Sequence, residues 1–268
     1  MGRSAHAPRR PDPDTRAVAW LPVVLAAAAA AFAHPVTIAV VDTGANVRAP
    51  AIAARHPATY DVRTRGRSVR DLNGHGTIVA SLLARTSGAA RLMIIRAGSS
   101  SGAFSDANEA AAIRYAVDHG ARILNLSFGG PRTSALERSA VRYAIGRGAL
   151  LVAAAGDDYA GHPEYPAALL GSSGLAVAAV TSDGEHAAFS NRGPWLSVAA
   201  LGERGTSFAV PLVAAAAARV WAANPRLTAR RVVRVLEETA SGGGTRTDAL
   251  GYGVVDVDAA LALARALR

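Results

Sequence analysis

The sequence predicts an α/β fold of three layers, a mostly parallel central sheet with helices on both faces. Two patterns carry the prediction. Short, continuously apolar runs recur along the chain, as strands buried on both faces require. Between them lie stretches of helical spacing, several closed by glycine. Half of the residues are hydrophobic and only 5% aromatic, so the core must be built from Ala, Val, Leu and Ile.

Taken in order, Val36–Val41 (VTIAVV) reads as a buried strand that stops at Asp42-Thr43-Gly44. A helix starts after Asn73-Gly74-His75 and covers Gly76–Ala84. Arg91–Ile95 is a strand, and Asp106–His119 a helix closed by Gly120. Ile123–Phe128 is a strand ending at Gly129-Gly130, followed by a helix over Thr133–Arg147. Leu150–Ala155, running into Gly156, and Leu175–Val180 are strands. Ser207–Ala223 and Thr228–Thr239 are helices parted by Asn224-Pro225, and Ser241–Thr245 (SGGGT) reads as a flexible stretch. In such sheets, working residues lie at the carboxyl ends of strands and at adjoining helix starts. Asp42, Gly130 and Asp157 fall at the first, and His75 and Ser207 at the second.

The length suits one domain after a leader. Residues 1–33 form that leader, and 34–268 the domain. The leader has a basic start, an apolar run from Ala17 to Ala33 and an Ala31-Phe32-Ala33 end, the three parts of a secretory signal peptide. Secretion is the preferred reading. A retained membrane anchor and an alanine-rich packed helix, which would leave the chain in the cytoplasm, are the alternatives.

The net charge of +9 comes entirely from arginine, with no lysine. The arginines are scattered and lack interleaved aromatics, which argues against a nucleic-acid partner. The absence of cysteine excludes disulfides, thiolate chemistry and cysteine-based zinc sites.

Asp42, His75 and Ser207 each sit in a glycine-flanked turn at an element boundary. Serine becomes a nucleophile when a neighbouring base takes its proton, and histidine has the right basicity. A carboxylate must then orient the imidazole. The order Asp, His, Ser is that of subtilisin, and it excludes the nucleophile-first order of α/β-hydrolases.

The segments Val40–Gly44 (VVDTG), Asn73–Ala80 (NGHGTIVA) and Gly205–Pro211 (GTSFAVP) resemble the catalytic blocks of the subtilisin-like (subtilase) family. Asn125–Gly130 (NLSFGG), Ala187–Pro194 (AAFSNRGP) and Gly251–Ala260 (GYGVVDVDAA) resemble further blocks. The resemblance implies a subtilisin-like serine endopeptidase with a polypeptide substrate. Asp42 would orient His75, His75 act as base and acid, and Ser207 attack the scissile carbonyl. The Ser207 N–H would help hold the oxyanion. Ser127, Phe128 and Gly129 would pair with the substrate backbone, and Ala154, Ala155 and Gly156 would wall the primary specificity pocket. No cofactor is implied beyond structural calcium, for which no ligands are identified.

Asp157 departs from the family, which usually has asparagine there to donate a hydrogen bond to the oxyanion. An ionised aspartate cannot donate. A slow or acid-shifted peptidase, in which Asp157 is protonated, is therefore expected. A catalytically silent fold that binds peptides or protein partners is the alternative. Only Gly202–Arg204 separate Leu201 from the Gly205 block, where the family usually has a longer stretch, so the primed side of the cleft should be reshaped. Asp106, Asp158, Glu164 and Asp183 read as surface charge.

Overall fold

The structure is a computed structural model that describes residues 35–267. The leader lies outside the described residues. Seven strands form one parallel sheet: β1 (Thr37–Asp42), β2 (Ala58–Asp61), β3 (Arg91–Arg96), β4 (Ile123–Leu126), β5 (Leu150–Ala154), β6 (Leu175–Val180) and β7 (Val198–Leu201). Their spatial order is β2-β3-β1-β4-β5-β6-β7. From β1 the chain goes to the edge strand β2, returns to insert β3 between them, then crosses β1 and builds outward through β4 to β7. The carboxyl ends of β1 and β4 therefore flank a topological switch point, where open α/β sheets place their ligands.

The helices are α1 (Pro50–Ala53), α2 (His75–Thr86), α3 (Asp106–Asp118), α4 (Ala135–Gly146), α5 (Thr206–Ala223), α6 (Ala229–Glu238) and α7 (Val257–Ala266). Side chains alternate across each strand, so the sheet feeds two cores. Ile38 and Val40 pack with α2, α5, α6 and α7 on one face. Ala39 and Val41 pack with α3 and α4 on the other. Helix α5 is buried over most of its surface and is alanine-rich, which lets it lie close on β4, β5, β6 and β7. Ser105, Ser134 and Thr228 cap α3, α4 and α6 by accepting a backbone N–H two or three residues into each helix.

The expected strands and helices are all present, with ends shifted by one or two residues. Strand β4 stops at Leu126, so Ser127–Gly129 lie beyond the ladder. The Ser241–Thr245 stretch is not a loose linker. The Gly242 and Ser241 N–H groups bond the Tyr252 and Val254 carbonyls, and a side chain at Gly242 would meet the Tyr252 carbonyl oxygen at 2.5 Å.

Candidate active site

Asp42 ends β1, an interior strand of the sheet, and is wholly buried. Its Oδ1 accepts the Thr43 N–H at 2.7 Å and lies 2.8 Å from His75 Nδ1. His75 begins α2, and the turn before it is organised by Asp71. Asp71 Oδ1 accepts from Thr43 Oγ1, Asn73 N and Gly74 N, and Oδ2 from Thr77 N and Thr77 Oγ1. Burial alone would raise the Asp71 pKa, but these hydrogen bonds outweigh it and hold the carboxyl below its ordinary value. Gly76 must be glycine. A Cβ there would stand 2.1 Å from the Gly44 carbonyl oxygen and 3.0 Å from Asp42 Oδ1.

Burial of His75 pulls its pKa down. The hydrogen bond and charge of Asp42, with the charges of Asp71 and Asp157, more than compensate and raise it above the ordinary imidazole value.

Ser207 lies in the first turn of α5, just after Gly205, whose φ of 147° excludes a larger residue. Its Oγ donates to the Ser127 carbonyl at 2.9 Å, and Ser127 Oγ returns a bond to the Ser207 carbonyl at 2.8 Å. Asn125 Nδ2 fixes the Ser127 hydroxyl from below at 2.9 Å. The Phe208 ring stands 5.8 Å from the His75 ring, so the start of α5 and the start of α2 face one cleft. The nucleophile candidate thus rests on the backbone of residue 127 rather than on the imidazole.

Two cavities open on this cleft and share Phe128, Gly129 and Gly130. One, of about 480 Å³, reaches from His75 past Ser127 to Glu109 and Glu137. The other, of about 300 Å³, holds Ser207 with Ala154, Gly156, Asp157, Asp158 and Glu164. Of the expected pocket wall, Ala154 and Gly156 line the second cavity. Ala155 between them is buried, its side chain packs in the core on the opposite sheet face, and its N–H bonds the Val177 carbonyl. Asp157 is exposed, and its Oδ1 accepts the Thr206 N–H at 2.8 Å, taking one free donor of the helix start.

Asp106, Asp158 and Asp183 are exposed, as expected of surface charge. Glu164 is not. It is 6% exposed, wedged beside Gly129 and Gly156 in the Ser207 cavity. Asp71, Glu164 and the Glu109–Glu137 pair were not anticipated as site residues. The Asp71-x-Asn73-Gly74 spacing, a common Asx-turn pattern, was the available signal for the first. Glu164 has none, since nothing in its loop sequence marks a carboxylate that folds back into the cleft.

Burial, with the charge and hydrogen bond of Glu137 and the charge of Asp106, pushes Glu109 up to about 9. The short connection after β7 leaves Leu201 exposed beside Ile78, Leu82, Phe208 and Leu212, an apolar groove on the far side of His75. Among the described residues no group of three or more His, Asp or Glu side chains converges.

Residues 33–253 match the family described as the subtilase family, peptidase S8. M-protease of Shouchella clausii is 33% identical over 249 residues, which cover 84% of this chain and 64% of that protein. The chain therefore spans less than two thirds of that relative's length. Subtilisin Savinase of Lederbergia lenta is 33% identical over 84% of this chain and 90% of its own length. Among solved structures, a lanthipeptide protease superposes with a TM-score of 0.77 at 20% identity, covering 85% of this chain and 87% of its own. The parallel sheet, the cleft at its switch point and the matched length agree: this chain belongs to the subtilase family.

Proposed function

We propose that this domain is a serine endopeptidase working through Asp42, His75 and Ser207. The observation that carries the reading is the 2.8 Å contact between the buried Asp42 carboxylate and His75 Nδ1. An imidazole that donates from Nδ1 presents the lone pair of Nε2 as a base. Ser207 transfers its hydroxyl proton to that nitrogen as Oγ bonds the scissile carbonyl carbon. The C–N bond then breaks as His75 returns the proton to the leaving amine, and water repeats the sequence to release the acid.

The unliganded hydroxyl rests on the Ser127 carbonyl. A substrate strand laid along Ser127, Phe128 and Gly129 would donate its own N–H to that carbonyl, freeing Ser207 Oγ to turn towards His75. The Ser207 N–H, near the positive end of α5, is the backbone donor for the oxyanion.

As a carboxylate, Asp157 would not complete that donor set, since it can only accept, as its Oδ1 does from the Thr206 N–H. The acid-shifted optimum expected from a protonated Asp157 gives way to a different reading. His75 must be neutral to act, its pKa is raised, and Asp157 is one of the charges raising it. Activity should therefore rise with pH through neutrality and fall in acid, at a turnover limited by the missing donor. Secretion, with residues 1–33 as the exported leader, completes the proposal.

Labelling with a fluorophosphonate probe tests it. Labelling that disappears in Ser207→Ala is expected. A properly folded chain that neither labels nor cleaves any peptide between pH 5 and 10 would instead support the silent peptide-binding reading, which Asp157 and the resting position of Ser207 Oγ favour.

A further inference from the structure

The cavity beside Ser207 is acidic in a chain whose net charge is +9. Its charged lining residues are Asp157, Asp158 and Glu164, with no arginine among them. Asp157 and Asp158 are exposed, but Glu164 is buried to 6% exposure, and its Oε2 has no hydrogen-bond partner. A buried, unpartnered carboxylate oxygen is costly, and it asks for a group that supplies hydrogen bonds or positive charge.

The surroundings hold Glu164 in place. Tyr165 and Gly130 exchange backbone hydrogen bonds at 2.9 and 3.0 Å, tying the loop that bears Glu164 to the end of the segment after β4. A Cβ on Gly129 would stand 2.8 Å from Glu164 Oε1, and one on Gly156 would stand 3.1 Å from its Cγ. These two glycines give the carboxylate its room. Phe128, Ala154 and Pro131, also in the lining, offer apolar surface for an aliphatic stem.

We propose that this cavity takes a cationic side chain, lysine or arginine, from the substrate residue on the acyl side of the cleaved bond, with Glu164 as its counter-ion. The proposal rests on the serine-peptidase reading above. An arginine fork or a lysine ammonium supplies the hydrogen bonds that Oε2 lacks, and Asp158 and Asp157 at the rim draw the cation in.

Burial, then the charges of Asp158, Asp157 and Glu137, push the Glu164 carboxyl up to about 7, while His162 pulls the other way. The empty site holds a proton in mild acid and loses it as the pH rises through neutrality. Preference for a cation should therefore strengthen across that range.

The test uses the full chain. Product-like peptides differing only at the C-terminal residue, arginine against its uncharged analogue citrulline, are titrated calorimetrically into Ser207→Ala. At pH 8 and low salt arginine should bind at least tenfold tighter, with the gap shrinking at pH 5.5 and falling in Glu164→Gln to the smaller preference that the rim charges of Asp157 and Asp158 supply. Substrates with arginine before the cleaved bond should exceed their leucine counterparts at least tenfold in kcat/KM. Equal binding of arginine and citrulline by Ser207→Ala overturns the proposal, as does a gap that is undiminished in Glu164→Gln. If Glu164→Gln does not fold, the pH dependence of the arginine–citrulline gap decides. A gap without probe labelling or hydrolysis sinks the peptidase reading alone. Labelling with no basic preference sinks this proposal alone.

Discussion

Replacing Asp157 with asparagine separates two consequences of one carboxylate. The amide oxygen would keep an acceptor for the Thr206 N–H, which Asp157 Oδ1 now takes at 2.8 Å, so the start of α5 should stand unchanged. The other terminal atom becomes an NH2 donor beside the Ser207 cavity. In serine peptidases of this type, one oxyanion donor is worth about 10²–10³ in turnover. The exchange also removes a negative charge from the neighbourhood of a developing oxyanion. Asp157→Asn should therefore raise kcat by on the order of 10²-fold, with KM little changed, because the donor acts in the transition state. Asp157 is also among the charges that raise His75. Its loss should move the acid limb of the pH–rate profile to lower pH. The assay is kcat and KM for one peptide substrate from pH 5 to 10, wild type against variant. Unchanged turnover with an unchanged limb would refute the placing of Asp157 at the oxyanion side of the cleft.

Three further outcomes follow from the same geometry. Asp42→Asn should leave the fold intact but lower kcat by roughly 10⁴, because the amide favours the wrong imidazole tautomer; a loss under tenfold in steady-state kinetics would contradict it. Gly76→Ala sets a Cβ 2.1 Å from the Gly44 backbone oxygen, which cannot swing away, so melting temperature and activity should both fall, by about 1–3 kcal/mol or more in stability. Glu109→Gln should stabilise the chain at alkaline pH. The Glu109 carboxyl is raised from 4.5 to about 9, so the native state holds an extra proton between those values, and stability is lost as pH rises through them. Thermal melts should show the variant ahead at pH 9 by roughly 2–4 °C per kcal/mol recovered, and no gain at pH 4.

The sheet's interior was legible because strands buried on both faces leave continuous apolar runs, as Val36–Val41 and Leu175–Val180 do. The elements missed have only a short run or none. Strand β2 (ATYD) is an edge strand, half-exposed and only four residues long. Strand β7 (VAAL) is equally short and ends on an exposed Leu201. Helix α7, which Asp256 caps through its side chain, is marked in the sequence by its resemblance rather than by its period. In the site, Asp42, His75 and Ser207 were legible because the close approaches around them demand neighbouring glycines. Glu164 was not, since a carboxylate in a loop carries no mark of burial. Its environment is made by Gly129 and Gly156, which belong to other strands' ends.

The acidity of the cleft sets two demands against each other. Asp157 and Asp158 line the cavity that holds Glu164, and their charge favours a cation there. The same charge lies beside the start of α5, where the oxyanion would form, and opposes it. A basic substrate side chain would answer both demands, by neutralising part of the rim as it binds. Substrates with arginine at that position should then lose less turnover to Asp157 than neutral ones do. Asp157→Asn should accordingly raise kcat more for a leucine substrate than for an arginine one. An equal gain for both substrates would mean that the specificity cavity and the oxyanion site do not share their field.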